Sequence, residues 1–224
     1  MDIKEAIKMR KSIRGYKADP IPKDILHALL EISLRSPSAM NTQPWEIAVI
    51  TGEPLENIRK GTIEALTSGQ MPVSDLPQGK SFEGIYKERQ RELGFELYGL
   101  MGIAREDKEK RNEWTMKGLR TFEAPAIIII SADESLDISR TFCDIGALIQ
   151  TICITAVDYG LGTCINGQGI MFPQVIRKFV PIPESKKMYM CISIGYPDWE
   201  HPANKLESRR EPLETNTTWY GFDS

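Results

Sequence analysis

Histidine and cysteine are scarce in this chain, at two and four in 224 residues. His27 and His201 stand far apart, and neither lies in an HExxH, HxH or GxSxG setting. Zinc-peptidase and serine-triad chemistry therefore lack their usual parts, and each histidine reads as a surface residue. Cys143, Cys153, Cys164 and Cys191 form no CxxC pair and lie in or beside apolar stretches, where a free thiol behaves as a small hydrophobe. That spacing argues against a metal centre or a disulfide framework and fits a reducing, cytoplasmic setting. Long apolar runs are missing too: the longest purely aliphatic one, Ile127 to Ile130, falls far short of the roughly 20 residues that span a bilayer. The opening MDIKEAIKMRKSIR is charged throughout and has no leader-like apolar core. No GxGxxG follows a strand-like run, so a Rossmann nucleotide site is unsupported. Nor does one sign of charge dominate: 28 basic and 31 acidic side chains leave −3. General adhesion to nucleic acid or anionic lipid is not expected. What remains attractive is chemistry in which a cofactor brings the reactive atoms.

What is present is the composition of an ordinary globular protein, 41% apolar and 26% charged, long enough for one domain over residues 1–224. Ile3, Ala6, Ile7 and Met9 sit at helical spacing. A second helix starts near Pro22 and stops at the breakers Ser36-Pro37-Ser38. Trp45 to Ile50 reads as a strand, followed by a short helix from Leu55 to Thr67. Residues 68–82 read as a loop, and Tyr86 to Leu119 as charged and helical. Pro125 to Ser131 is β-branched throughout and reads as a fully buried strand. Asp137 to Tyr159 reads as a helix apolar nearly all round, closed by a C-cap glycine at Gly160, which suits a core or a subunit interface. Pro173 to Phe179 reads as a helix, and Met188 to Ile194 as a central strand. This order predicts an α+β fold: a central mixed sheet flanked by helices, with residues 68–119 inserted as a helical lid.

Four segments carry candidate chemistry. Arg10-Lys11-Ser12-Ile13-Arg14 offers three cations and a hydroxyl, a donor set that suits phosphate as well as it suits solvent. Ser208-Arg209-Arg210 near the C-terminus is a second basic cluster. Ser36 to Trp45 strings hydroxyl and amide side chains around two prolines, either capping its own backbone or forming a polar shelf for a ligand. Gly160 to Gly169 has four glycines in ten positions, which permits close backbone approach to a flat group or simply a tight connection.

Their order resembles the FMN-dependent nitroreductase family. RKSIRGY matches its RRSxRxF-like opening, PSAMNTQPW its PSxxNxQPW, and GLGTCINGQG its GLGTCxxG. Ile194-Gly195-Tyr196-Pro197 and Arg210-Glu211-Pro212-Leu213-Glu214 match its closing segments. The inserted stretch is similar to that of nitrobenzoate-type reductases. The resemblance implies a homodimer with FMN at the interface and NAD(P)H as electron donor. Arg10, Lys11, Ser12, Arg14 and Arg210 would hold the FMN phosphate and ribityl chain. Pro37, Ser38, Ala39 and Asn41 would contact a flavin bound mainly by the other subunit. Asn166 and the backbone N–H of Gly167 would lie near flavin N5, so no catalytic side chain is required. Met40, Tyr86, Phe95 and Tyr98 are candidate substrate contacts, flat apolar groups suited to an aromatic acceptor. Glu123 departs from the family pattern and would add a charge beside the site. The implied reaction is ping-pong reduction of nitroaromatic or quinone-like acceptors. The alternatives are reductive dehalogenation or enone reduction on the same scaffold, or a flavin-binding module without turnover.

Overall fold

Ile127 to Ile130 are all fully buried, as an uninterrupted apolar run on a strand covered on both faces must be. The structure, a computed structural model, describes residues 1–77 and 79–222. Gln78, inside the expected 68–82 loop, and Asp223 and Ser224 lie outside the described residues. The strands are β1 (Glu46–Thr51), β2 (Ala126–Asp133), β3 (Gly162–Ile165) and β4 (Lys186–Gly195), in the spatial order β1-β2-β4-β3. The α+β architecture is as expected. The sheet, however, is antiparallel in all three ladders rather than mixed. The long helix-rich connections can return the chain to either end of a sheet, so they leave strand direction open. The one parallel pairing among the described residues is an isolated bridge from Ser12 to Thr163.

Among the described residues eight α-helices surround the sheet: α1 (Ile3–Met9), α2 (Lys23–Ser33), α3 (Gly52–Thr67), α4 (Gly84–Leu100), α5 (Lys108–Leu119), α6 (Ile138–Asp158), α7 (Pro173–Phe179) and α8 (Leu213–Asn216). The side-chain alternation of β2 divides the core between two faces. Ile128 and Ile130 join Leu29 of α2 and Leu148 and Ile152 of α6. Ile127 and Ile129 join Leu55 and Ile58 of α3 and Ile176 of α7. The β2–β4 register shifts between Ile130 and Ser131, which leaves Tyr189 as the extra residue of a bulge. Tyr189 and Met190 then both turn toward the α6 side, and the Tyr189 ring meets Phe142 edge-on at 4.9 Å.

Helix α6 is long and apolar enough to cross a bilayer by length and composition. Ile145, Leu148, Ile149, Ile152 and Ala156 nevertheless pack in the main core, and burial of such side chains contributes about 1.5–3 kcal/mol each. The Asp137 carboxylate caps its first turn, accepting from the Arg140 N–H, and Gly160 at φ +71° ends it.

The charged stretch before β2 is two helices, α4 and α5, parted around Gly102 at φ +63°. No side chain of α4 is buried. The preceding loop is fixed to the body by Asp75, whose carboxylate takes a two-pronged hydrogen bond from Arg177 at 2.7 and 3.1 Å and another from the Met188 N–H at 3.1 Å. On α1 just Ala6 is buried, while Ile3, Ile7 and Met9 are exposed.

Candidate functional site

After α1 the chain leaves the helix at Arg10 and runs beside β3. Ser12 bridges Thr163, and the Ile13 N–H donates to the Thr163 carbonyl at 2.9 Å. This approach requires glycine at 162, where a β-carbon would strike the side chains of Ile13 and Pro197. The basic opening and the glycine-rich segment are thereby made neighbours. A third segment joins them through Asn204, which sequence reading missed. Its Oδ1 accepts from the Arg14 N–H at 2.7 Å, and its Nδ2 donates to the Gly15 carbonyl at 2.8 Å. Farther along, Glu207 pairs with the Lys11 ammonium, which also lies over the Trp199 ring at 5.7 Å. His201, expected on the surface, is half-buried instead, and its ring fills the space where a Gly15 side chain would stand.

Arg10 and Arg14 have no acidic partner among the described residues, and Arg14 makes one long bond of 3.4 Å to the Ser12 carbonyl. Both are partly buried. Burial pushes the Cys153 thiol up to about 11 and raises Cys164 as well, while the nearby arginine charges oppose the rise. Two guanidiniums without a counter-ion, beside an ammonium and the Ser12 hydroxyl, form a donor set that fits an anionic phosphate. Arg210 is exposed and folds back on its own segment, donating to the Ser208 hydroxyl at 2.9 Å.

The Pro37–Asn41 loop is tied elsewhere, onto α6. The Ala39 N–H donates to Asp144 at 3.0 Å, and the Ser36 hydroxyl donates to Thr151 at 2.8 Å. Ser38 caps the loop internally, accepting from the Gln43 N–H at 2.9 Å. Among the described residues none of its hydrogen bonds reaches the basic cluster. Met40, Asn41 and Gln43 all have positive φ, at 51°, 58° and 46°. Such backbone costs about 1–2 kcal/mol per non-glycine residue and gathers at functional sites. The Pro37 ring and the Asn41 side chain are exposed, and Met40 is 95% exposed.

Past β3, Asn166 is buried and used at both ends. Its Nδ2 donates to the Gly118 carbonyl at 2.8 Å, and its Oδ1 accepts from the Gln168 N–H at 3.1 Å. Gly167 between them is exposed, with nothing within 4 Å of the place a β-carbon would occupy. Opposite, α5 runs into a turn in which Thr121, Phe122 and Glu123 are all left-handed, with φ between 54° and 56°. Arg59, which sequence reading also missed, holds that turn from α3. Its side chain is 7% exposed. Nε donates to the Arg120 carbonyl at 2.9 Å, while Nη2 donates to the Thr121 hydroxyl at 3.1 Å and the Ala124 carbonyl at 2.5 Å. Glu56 takes Nη1 at 2.5 Å. The Glu123 carboxylate, expected as an added charge beside the site, is paired with Arg120 at 2.5 Å.

An open groove of about 930 Å³ lies along α5, lined by Met101, Ile103, Trp114, Met116, Lys117 and Arg120 among others. None of the four proposed substrate contacts lines it. Tyr86 and Phe95 are 64% and 85% exposed on α4, and the Tyr98 ring is covered by the Arg111 guanidinium at 4.9 Å.

The model of the Nitroreductase family matches residues 7–196. The chain is 30% identical over 228 residues to a 4-nitrobenzoate reductase of Pseudomonas putida, covering 99% of this chain and 97% of that one. It is 29% identical over 221 residues to a 4-nitrobenzoate reductase of Nocardioides sp., covering 97% and 89%. Its fold is similar to a crystal structure of the FMN-dependent nitroreductase NfnB from Mycobacterium smegmatis in complex with NADPH. That match has a TM-score of 0.91 at 26% identity, over 98% of this chain and 100% of the other. With a family match spanning most of its length, and with the basic opening and the glycine-rich segment joined at β3, the chain belongs to the nitroreductase family.

Proposed function

We propose that the protein is an NAD(P)H-dependent FMN oxidoreductase that reduces nitroaromatic or quinone-like acceptors by a ping-pong mechanism. The observation that carries this reading is the pair of partly buried guanidiniums, Arg10 and Arg14, left without acidic partners beside Ser12 and the glycine-rich segment. They would hold the phosphate of FMN, with Lys11 adding charge and Arg210 swinging in from Ser208. Bound FMN supplies the hydride-accepting and hydride-donating ring, which removes any need for a nucleophile or a catalytic histidine. The exposed Gly167 N–H would point a donor toward N5, held there by the two-ended clamp of Asn166. Donor and acceptor would share one open face, and sharing forces them to alternate.

The working unit in this reading is a homodimer. Ile3, Ile7 and Met9 on α1, Phe142 on α6, and Trp219 and Tyr220 near the C-terminus are all exposed large apolar side chains. A second subunit would cover these side chains. The strained Pro37–Asn41 loop would serve the partner's flavin, which agrees with its attachment to α6 rather than to the basic cluster. Residues 68–119 would act as the lid, and Met40, Tyr86, Phe95 and Tyr98 would meet substrate once the second subunit is in place.

An anaerobic visible titration of the purified protein tests this. A yellow protein that bleaches with NADH or NADPH and regains colour with a nitroarene is the expected result. Colourless protein that ignores added FMN would overturn it.

A further inference from the structure

We propose that Arg59 is a positioning residue for the flavin site, fixing the aim of the Gly167 N–H through the left-handed turn Thr121–Glu123. The proposal rests on the placement of Gly167 given under the proposed function. A guanidinium on the inward stripe of a helix is costly unless its donors are matched. Here they are matched by one short segment: the inward bonds from Nε and Nη2 all end on Arg120, Thr121 and Ala124. Thr121 is β-branched, so its left-handed backbone is a conformation it leaves when nothing holds it.

The turn is the wall against which the glycine-rich segment is built. Just before it, in the last turn of α5, the Gly118 carbonyl receives the Asn166 amide. At its first residue, the Thr121 methyl lies beside Gly169 together with Cys191, 3.2 Å from where an added β-carbon would stand. Gly167 sits between these two contacts, with its neighbour Gln168 tied back to Asn166. Release of the turn frees the Thr121 support directly and loosens the Gly118 support through the adjoining end of α5, and the Gly167 amide loses its fixed direction. Oxidised N5 would accept from a donor at that place, whereas reduced N5 would carry a hydrogen of its own, so the donor favours the oxidised ring and Arg59 acts on the difference between the two redox states.

The experiment uses Arg59→Met, Arg59→Lys and, as a charge control, Glu56→Gln, each as the FMN-loaded protein. Three quantities are measured: the midpoint potential of bound FMN, FMN affinity in both redox states, and amide exchange across Gly118–Ala124. In Arg59→Met, oxidised FMN is expected to lose about tenfold more affinity than reduced FMN. That corresponds to a rise of about 30 mV for a two-electron couple, accompanied by faster exchange in the turn. Arg59→Lys, which keeps the charge but not the fork, shifts the same way by less and serves where Arg59→Met fails to fold. Glu56→Gln stays within about twofold of the parent. Faster exchange with an unmoved potential would overturn the proposal and leave Arg59 a structural residue. A parent protein that binds no FMN would instead remove the flavin reading beneath it.

Discussion

The side-chain amide of Asn166 donates to the Gly118 carbonyl at 2.8 Å, joining the end of α5 to the turn after β3 across 48 residues of sequence. Asn166→Ala leaves that buried carbonyl unpaired and also strips the Gln168 N–H of its acceptor. We expect a loss of about 1–3 kcal/mol in stability, read as a lower urea midpoint. FMN affinity should fall in the same variant, because the Gly167 turn loses its clamp.

Arg10→Gln and Arg14→Gln test the phosphate site directly. Charge-assisted hydrogen bonds contribute about 1.5–3 kcal/mol, so each change should raise the FMN dissociation constant by about tenfold or more. Protein without FMN should be as stable as the parent or slightly more so, since no ion pair is broken and repulsion with Lys11 is relieved. Fluorescence titration at two salt concentrations measures the first effect, and thermal melting the second.

The Asp75–Arg177 pair is nearly buried, with side chains 12% and 15% exposed. Asp75→Ala strands a guanidinium and the Met188 N–H, which costs about 3–5 kcal/mol when a buried partner is removed. Asp75→Asn, which keeps an acceptor, should cost less. Chemical denaturation of both variants separates the lost charge from the lost hydrogen bonds.

His201 gives a pH signature. Burial, reinforced by the Lys117 charge and opposed by Asp198, holds its pKa below the ordinary 6.5. The unfolded chain therefore binds the extra proton first. The contribution of neutral His201 is fully present above the unfolded value and is lost as pH falls through it toward the folded-state value. Protonation also takes away Nδ1 as acceptor for the Ala203 N–H. His201→Asn keeps a capping acceptor without titrating, so its urea midpoint should fall less than that of the parent between about pH 7 and pH 5. Asp133, held down at about 2 by Ser135 and Lys186, titrates below that window and does not confuse it.

Much of the fold was legible because its signals are local. The β2 isoleucines, the apolar spacing of α6 and the stop at Gly160 each act within a few residues. The family resemblance set RKSIR and GLGTC around one cofactor, but the contact that joins them, Ser12 against Thr163, spans the chain and was not legible. What stayed hidden depends on contacts that periodicity does not encode. The left-handed turn at Thr121–Glu123 contains no glycine to announce it, and it exists because Arg59 reaches it from α3. One clue was available: Leu55, Ile58, Arg59, Thr62 and Ala65 form the buried stripe of that helix. A charge on such a stripe asks for a partner. Likewise Glu123 read as a free acid because its neighbour Arg120 was not known to fold back onto it. The break between α4 and α5 lay at Gly102, inside a stretch whose charge pattern was helical on both sides.

Helix α4 makes a different kind of statement. Its 17 residues bury no side chain, and an isolated helix of that length is marginal in water. Its order is therefore set by whatever its apolar side chains meet, and by how much of that surface is available. In the homodimer proposed above, α4 would answer to mass action more than the fully buried β2. Amide exchange would then run on two clocks side by side: one wound by the core and one by company.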